Sequence, residues 1–440
     1  MLLWPGPRRI HHDGVVDRTA AGTKVVIVGQ GYVGLPVAVR AVEAGVDVVG
    51  LDVDERRIEG LRAGHSHVED IGAARLGAAL ATGRYAPTAD PADAAGFDVA
   101  VISVPTPLRD HTPDLTYIED AARSLAAHLR AGATVVLEST TYPGTTEALV
   151  GPILEQGSGL RAGTDFHLGY SPERIDPGNA TWTFENTPKV VSGVDEASLD
   201  VVRWFYDQLV EVTVPTPTPK EAELTKLLEN TFRHVNIALV NELAMFARDL
   251  DIDIWAAIDA ASTKPFGYMR FTPGPGVGGH CLPVDPTYLS WQVRQQLGVS
   301  FRFVELANDV NEHMPEYVVQ RIVVHLNDRG LAVKGRRILV LGLAYKRNTG
   351  DARESPSHPI CARLVGLGAD VRVADPHVDP VQIPAGTTPV DATPQEVAAA
   401  DLVLVLVDHD RFGLPSVLDG AGHVLDTRRC IPARDGVEVL

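Results

Sequence analysis

The sequence predicts an α/β chain in which two domains built on parallel sheets are joined by a helical region with one long helix. Three observations carry this. From Lys24 to Asp52 an apolar strand, a glycine-rich turn, a helix and a second apolar strand follow one another. From Lys334 onward a similar alternation of short apolar runs and helical patterns returns. Between them, Glu221 to Leu250 carries Leu224, Leu227, Leu228, Val235, Leu239 and Leu243 at helical spacing. Strands buried on both faces by crossover helices read as continuous apolar runs, and Val25–Val28 is such a run.

Residues 1–21, with Pro5, Pro7, His11 and His12, show no period and read as a loose extension; a histidine pair without a third ligand nearby is read as tail and not as a metal site. The first domain is placed at 22–215. Val25–Val28 leads into Gly29, Gly31 and Gly34, then a helix from Leu35 to Ala44 and a strand from Val46 to Leu51 that ends at Asp52. This is the dinucleotide-binding fingerprint in its strand–helix–strand context, and it makes the domain Rossmann-like. Gly29 makes the turn, Gly31 lets a pyrophosphate near the backbone, Gly34 allows close helix packing, and the helix amides face the phosphates. Tyr32 and Val33 complete the cofactor turn. A carboxylate at Asp52 can accept both adenosine-ribose hydroxyls and repel a 2'-phosphate, so the cofactor is read as NAD.

Strands are next expected at Val99–Val104 and Thr134–Glu138, followed by the loops Pro105–Pro107 and Ser139–Gly144. Loops beyond the carboxyl ends of parallel strands form the binding crevice, which puts Thr106 and Thr140 near the nicotinamide. Either threonine equally fits a helix cap. Phe166–Tyr170 reads as a strand ending at the acidic loop Ser171–Asn179, and Val190–Gly193 as the last strand of this domain.

A central helical domain is placed at 216–330. Pro215, Pro217 and Pro219 form a stiff entry to the long helix, across which run Glu223, Lys226 and Asn230. Lys226 and Asn230 are four residues apart and share a face among leucines; the plainer alternative is a surface lysine with an asparagine beside it. Such a helix is long enough to join two domains and supply a dimer surface. Helices are expected at Ile254–Ala260, Tyr288–Gln296 and Val304–Leu326, the last with a cap or kink near Pro315. Between the first two lies Pro273–Pro286, with Gly274, Gly276, Gly278 and Gly279 followed by Cys281 and Asp285. Its prolines argue against regular helix, so it reads as a rigid loop whose backbone approaches a ligand while presenting one thiol and one carboxylate. A structural turn with Cys281 as a small buried hydrophobe is the alternative.

The last domain is placed at 331–440. Arg337–Gly342 and Asp370–Asp375 read as strands with a helix near Pro359–Leu367 between them, completed by Asp401–Val407 and His423–Asp426. It lacks a full glycine triplet. Its first loop, Leu343–Pro356, carries Lys346, Arg347 and Arg353, which suit a diphosphate other than the dinucleotide, or else form a charged surface.

Composition narrows the partners. The chain has 440 residues and a net charge of -18, which disfavours nucleic acid and anionic membranes. Cys281, Cys361 and Cys430 form neither a disulfide framework nor a metal cluster. No run of 18 apolar residues and no secretory leader pattern is present, so a cytoplasmic setting is expected.

From about Lys24 to the C-terminus these motifs together resemble the nucleotide-sugar 6-dehydrogenase family, the UDP-glucose and UDP-N-acetylhexosamine dehydrogenases. The resemblance rests on Gly29–Gly34, Ser171–Glu173, Lys226 with Asn230, Gly278–Cys281 with Asp285, and Lys346–Ser355. It implies an NAD domain, a central domain and a UDP-binding domain; with the long helix as a dimer surface, a homodimer or higher homo-oligomer is expected. It also implies two successive oxidations of a sugar C6 alcohol to a carboxylate, with two NAD+ and one water consumed. Cys281 would add to the C6 aldehyde as a thiohemiacetal and carry the later thioester. Lys226 and Asn230 would stabilise oxygen charge at C6. Asp285 would move protons or orient water, assisted by Glu173 and Thr140. Glu173, Arg174, Lys226, Asn230, Gly276, Gly278, Gly279, Lys346 and Arg353 would contact the UDP-sugar, and His280 would tune the thiolate or shape the loop.

Enzymes of the glucose branch usually carry lysine just before the loop aspartate, where this chain has Val284. That, with His280 and Pro273–Gly276, resembles the branch acting on UDP-N-acetylglucosamine or UDP-N-acetylmannosamine. Thr263–Gly267 and Ser171–Gly178 lean toward the N-acetylglucosamine subgroup. Two rivals remain: a one-step NAD-dependent dehydrogenase of small hydroxy acids or phosphosugars, and a non-catalytic nucleotide-sugar-binding protein. The first needs no nucleophilic cysteine, and the second has no use for Cys281, Lys226, Asn230 and Asp285 together.

Overall fold

In the computed structural model the described residues are 22–68, 70–109, 112–175, 179, 181–279 and 281–440, with the side chain of Cys281 left out. The expected N-terminal extension and His280 lie outside them. The chain divides into two compact units, one ending at Glu229 and the other running from Asn230 to Leu440.

The first unit is an eight-stranded sheet. Its early strands are β1 (Lys24–Val28), β2 (Asp47–Leu51), β3 (Tyr85–Thr88) and β4 (Val99–Ile102), followed by a two-stranded ribbon, β5 (Leu108–Arg109) and β6 (Thr112–Pro113). Then come β7 (Thr134–Leu137), β8 (His167–Tyr170), β9 (Lys189–Gly193) and β10 (Thr213–Pro215). The order across the main sheet is β10-β9-β8-β7-β4-β1-β2-β3. All neighbours run parallel except β8 and β9. Val25, Val26 and Ile27 of β1 and all of β4 and β7 are buried, because helices cover both faces. Those helices are α1 (Gly34–Glu43), α2 (Glu55–Arg62), α3 (Ala73–Ala81), α4 (Thr116–Ala126), α5 (Gly151–Ser158) and α6 (Glu196–Asp207). Leu35, Val37, Ala38 and Ala41 of α1 pack with Val25, Ile27 and Val48 in one core, while Ile118, Ala122 and Leu125 of α4 pack with Val26, Ala100 and Val135 in the other.

Two strands of this main sheet depart from the expected set, which also lacked β5 and β6. Both β3 and β10 are edge strands, short and containing a proline (Pro87 and Pro215), which an edge tolerates and an apolar-run criterion overlooks. Val190–Gly193 is therefore not the last strand of its sheet, and it introduces the antiparallel pair.

A long helix, α7 (Pro219–Asp249), leads into the second unit. There α8 (Ile254–Ala261), α9 (Cys281–Leu297) and α10 (Arg302–Asn327) precede a six-stranded sheet. Its elements are β11 (Arg337–Leu341), α11 (Ser357–Gly366), β12 (Asp370–Ala374), β13 (Thr388–Pro389), α12 (Pro394–Ala399), β14 (Leu402–Val405), β15 (Val424–Asp426) and β16 (Val437–Val439). The order is β13-β12-β11-β14-β15-β16, parallel throughout. Met314, Val318 and Ile322 of α10 and Ile360 and Leu364 of α11 cover one face; Val397 of α12, Phe412 and Leu418 cover the other.

The loop expected at Pro273–Pro286 ends earlier than its prolines suggested, since helix begins at Cys281. Pro283 falls in the first turn, where a missing N–H leaves no intrahelical bond unmade, and Pro286 removes one bond from a helix that continues to Leu297. Likewise α10 is a single helical segment through Pro315.

Both sheets use one device at the end of the second strand. Asp375, just after β12, accepts hydrogen bonds from the Leu343 and Ala344 amides beyond β11 at 2.7 and 3.0 Å. Asp52, just after β2, accepts one from the Gln30 amide beyond β1 at 2.7 Å. Against the upward push of burial, the hydrogen bonds of Asp375 to His409 and to these amides hold its carboxyl well below the usual range.

Candidate active site

In the first unit the glycine turn separates steric need from ligand access. Gly29 has a φ of 91°, and a Cβ there would lie 2.5 Å from the Ser103 carbonyl oxygen. A Cβ at Gly34 would lie 1.8 Å from the Gly29 carbonyl oxygen. At Gly31 a Cβ would meet nothing within 4 Å. Helix α1 has no side-chain cap and no acid in its first turn, so its amides suit an anion laid over Gly31. Those features fit the pyrophosphate of a dinucleotide. Tyr32 is exposed and Val33 half-buried in the same turn.

Asp52 is turned inward. One carboxylate oxygen takes the Gln30 amide and the Arg57 guanidinium, the latter at 2.8 Å, and the other takes the Asp54 amide at 2.9 Å. Beneath the turn the buried Gln30 amide donates to the carbonyls of Ile27 and Gly29, and its oxygen accepts from the Tyr85 hydroxyl at 2.7 Å. Sequence reasoning missed Gln30 and Arg57. The available signal was a cation five residues after Asp52, in the first turn of α2.

Beyond β4 and β7, Thr106 is buried and Thr140 half-buried. The Thr140 loop is fastened to α7 by Glu223, whose carboxylate accepts from the Gly144 amide at 2.5 Å and from the Thr146 amide and hydroxyl at 2.9 and 2.7 Å. Burial pushes Glu223 up to about 7, with these hydrogen bonds opposing the rise. Three residues on, the buried Lys226 ammonium donates to the Glu173 backbone carbonyl at 2.5 Å. The Glu173 side chain folds back on its own turn, accepting from the Arg174 amide at 2.6 Å and from the Ile175 amide. Arg174 itself is held by Glu229 of α7 at 2.7 Å and by the Pro188 carbonyl.

In the second unit the structure brings Asn230 and Asp285 together. Both are buried, and the Asn230 amide donates to the Asp285 carboxylate at 2.6 Å. Asp285 lies four residues beyond Cys281 in α9, about one helical turn along the chain. The glycine loop ahead of α9 packs on protein. A Cβ at Gly278 would sit 2.8 Å from the Glu354 carbonyl oxygen, one at Gly279 2.8 Å from the Tyr345 ring, and one at Gly276 3.1 Å from Pro356. The Gly279 amide also donates to the Arg353 carbonyl at 3.2 Å. Two loops that the sequence singled out separately, 273–279 and 343–356, are thus fitted together by glycine. Within the second, the Arg353 guanidinium is held by Asp351 at 2.6 Å, Arg347 pairs with Asp408 and Asp410, and Lys346 is half-buried.

The first unit supplies a dinucleotide turn and a fixed ammonium; the second supplies a fixed carboxamide–carboxylate pair near the start of α9. Among the described residues no cluster of histidine, cysteine and acidic side chains could hold a metal ion, and no helix is long and apolar enough to cross a membrane.

Comparison with known proteins gives three matches along the chain to the UDP-glucose/GDP-mannose dehydrogenase family. Residues 23–210 match its NAD-binding domain, 220–313 its central domain and 339–433 its UDP-binding domain. A UDP-N-acetyl-D-glucosamine 6-dehydrogenase of Pseudomonas aeruginosa is 38% identical over 88% of this chain and 91% of its own length. A UDP-N-acetyl-D-mannosamine dehydrogenase of Pyrococcus horikoshii is 35% identical over 88% and 90%. The solved structure of a UDP-D-ManNAc dehydrogenase from Pyrococcus horikoshii superposes with a TM-score of 0.86 at 33% identity, covering 95% of this chain and 98% of that one.

Two outcomes follow from this geometry. Gly31→Ala should fold normally yet raise KM for NAD+ roughly tenfold, about 1.4 kcal/mol of lost binding, whereas Gly34→Ala should cost about 1–3 kcal/mol of stability through overpacking; thermal melting and NAD+ titration of both variants check this. For Glu223, the folded pKa of about 7 lies above the ordinary 4.5. Its stabilising contribution is therefore complete below about pH 4.5 and lost as pH rises through about 7. In denaturant titrations the fall in stability between about pH 5 and pH 8 should be absent from Glu223→Gln, whose side chain does not titrate.

Proposed function

Because the chain belongs to the UDP-glucose/GDP-mannose dehydrogenase family and is an NAD-dependent UDP-sugar dehydrogenase, we propose that it oxidises C6 of a UDP-N-acetylhexosamine to the uronic acid, with UDP-N-acetylglucosamine preferred. The observation that carries this reading is the Asn230–Asp285 pair, fixed one helical turn from Cys281. The substrate class is supported by the names of the relatives, and by the apolar Val284 beside Asp285, where glucose-branch enzymes usually carry lysine.

Bound NAD+ would supply the hydride acceptor, held over Gly31 and the start of α1 with Asp52 and Arg57 at its ribose and Thr106 and Thr140 toward the nicotinamide. Lys226 and Asn230 would take the charge that develops on the C6 oxygen, which requires donors fixed beforehand; the hydrogen bonds of Lys226 to the Glu173 carbonyl and of Asn230 to Asp285 supply that rigidity. Loss of one C6 hydrogen as hydride, with the hydroxyl proton passing to water, would first turn the C6 alcohol into an aldehyde; the Cys281 thiolate would then add to that aldehyde while its oxygen takes up a proton. The resulting thiohemiacetal retains one C6 hydrogen, and loss of that hydrogen as hydride leaves a thioester. Water activated by Asp285 would hydrolyse the thioester, releasing the carboxylate and the thiol. Glu173 and Arg174 shape the turn behind Lys226, and Gly276, Gly278, Gly279, Lys346 and Arg353 would border the UDP-sugar in the second unit.

A second copy of the chain is the proposed protein partner. Phe232, Leu239, Leu243 and Phe246 recur at helical spacing along α7, Leu250 follows just past its end, and all five are exposed, an apolar stripe suited to self-association. A cytoplasmic setting accords with the net charge and the dispersed cysteines.

A panel of UDP-glucose, UDP-galactose, UDP-N-acetylglucosamine and UDP-N-acetylmannosamine tests the reading, with NADH followed by absorbance. The expected result is fastest turnover of UDP-N-acetylglucosamine with two NADH per sugar; one NADH per sugar would favour the single-oxidation rival. Cys281→Ser should lower acid formation on the order of a thousandfold, about 4 kcal/mol in barrier, and normal turnover by that variant would remove the covalent route.

A further inference from the structure

One buried charged cluster of the first unit meets the steps above only through Glu173. Lys189 opens β9, Glu138 follows β7, Tyr206 comes from α6, and Glu173 sits in the turn beyond β8. All four are buried. The Lys189 ammonium pairs with one Glu138 oxygen and lies 3.5 Å from a Glu173 oxygen, while the Tyr206 hydroxyl donates to the other Glu138 oxygen at 3.0 Å. The rings of Tyr206 and Phe184 lie 5.1 and 5.5 Å from the ammonium and add cation–π attraction.

Two features make this more than an internal ion pair. First, the cluster holds two carboxylates against one ammonium, so taking away the cation leaves two buried acids facing each other, and either one takes up a proton or the chain around them moves. Second, three consecutive residues hold the turn. The Pro188 carbonyl accepts from Arg174, Lys189 pairs with Glu173, and the Val190 carbonyl accepts from the Ser171 hydroxyl at 2.7 Å. The outer two contacts are hydrogen bonds to carbonyls that a neighbouring conformation could also make. The middle one is ionic and fully enclosed, so it fixes the register of the turn.

We propose that Lys189 is a positioning residue for the oxidation: by bridging Glu138 and Glu173 inside the protein, it holds the Ser171–Ile175 turn in the conformation that presents the Glu173 carbonyl to the Lys226 ammonium. This rests on the reading of Lys226 as the group that stabilises the C6 oxygen. Lys189 touches neither sugar nor cofactor in this role. It acts through Glu173 and then Lys226.

The test is a double-mutant cycle on the full-length enzyme, assayed with whichever UDP-sugar the wild type turns over. Lys189→Met should lower kcat at least tenfold with KM for NAD+ within twofold of wild type, because the turn at Gly29–Gly34 is untouched. In a Lys226→Met background the same substitution should cause less than a twofold further loss, since its effect is already spent. Glu138→Gln with Lys189→Met should recover melting temperature without recovering kcat. Full additivity with Lys226→Met, a wild-type kcat in Lys189→Met, or recovery of kcat together with stability in the Glu138→Gln pair would each overturn the proposal. If Lys189→Met yields no folded protein, Lys189→Arg carries the same cycle: the charge remains, its geometry changes, and a severalfold kcat loss that vanishes in the Lys226→Met background is expected. A Lys226→Met enzyme that keeps its rate would instead count against the assigned role of Lys226, a result separable from any of these.

Discussion

A strand covered on both faces can offer chemistry only at its ends. In β1, β4 and β7 the central residues are fully enclosed, and a polar group placed among them would lose water without gaining a partner. The polar residues that matter therefore collect where those strands run out: Gly29 and Gln30 after β1, Asp52 after β2, Ser103 after β4, Glu138 after β7 and Ser171 after β8. Parallel pairing sends these ends to one edge, and the candidate cofactor turn and the candidate catalytic turn both arise from that edge. The second sheet obeys the same constraint, with Asp375 gripping the turn after β11 as Asp52 grips the turn after β1.

Enclosure also decides how the polar residues behave. A buried ammonium or carboxylate must be met by partners, and here the partners are mostly main-chain groups of loops. Glu223 collects two amides and a hydroxyl, Lys226 a carbonyl, and Asp52 two amides and a guanidinium. Each such contact satisfies a desolvated group and at the same time fixes a loop. A polar chain in the second unit works in the same way: Asn241 accepts from the Gly274 amide and donates to Asn311, which in turn reaches His234, so the entry of the glycine loop is tied to both α7 and α10. Stability and preorganisation are then properties of the same hydrogen bonds.

Much of the fold was legible because it is local. The apolar run at Val25–Val28, the spacing of Gly29, Gly31 and Gly34, and the leucine period of α7 each report a backbone conformation within a few residues. Where local rules misled, the reason is physical. Proline was read as excluding helix from Pro283 to Pro286, yet Pro283 falls in a first turn with no bond to break, and α9 continues through Pro286 at the loss of one. Strands β3 and β10 carry prolines and few apolar residues because an edge has one free side. The glycines at 276, 278 and 279 also make room for protein, since the atoms a Cβ there would meet belong to Tyr345, Glu354 and Pro356. Glycine in a sequence signals close approach without saying of what.

Residue types and short-range periodicity were enough to name an α/β chain with a dinucleotide turn and to single out Lys226, Asn230, Cys281 and Asp285 as candidates, since sterics and side-chain chemistry are written in each position. Pairings lie beyond that reach. Asn230 meets Asp285 across 55 residues, Lys226 meets the Glu173 carbonyl across 53, and Lys189 meets Glu138 across 51. Nothing in either segment of such a pair specifies the other, because the interaction exists only once packing has brought distant helices, strand ends and turns side by side and excluded water from between them. The choice of partner for each buried charge, and with it the direction in which each functional group is held, was made by packing.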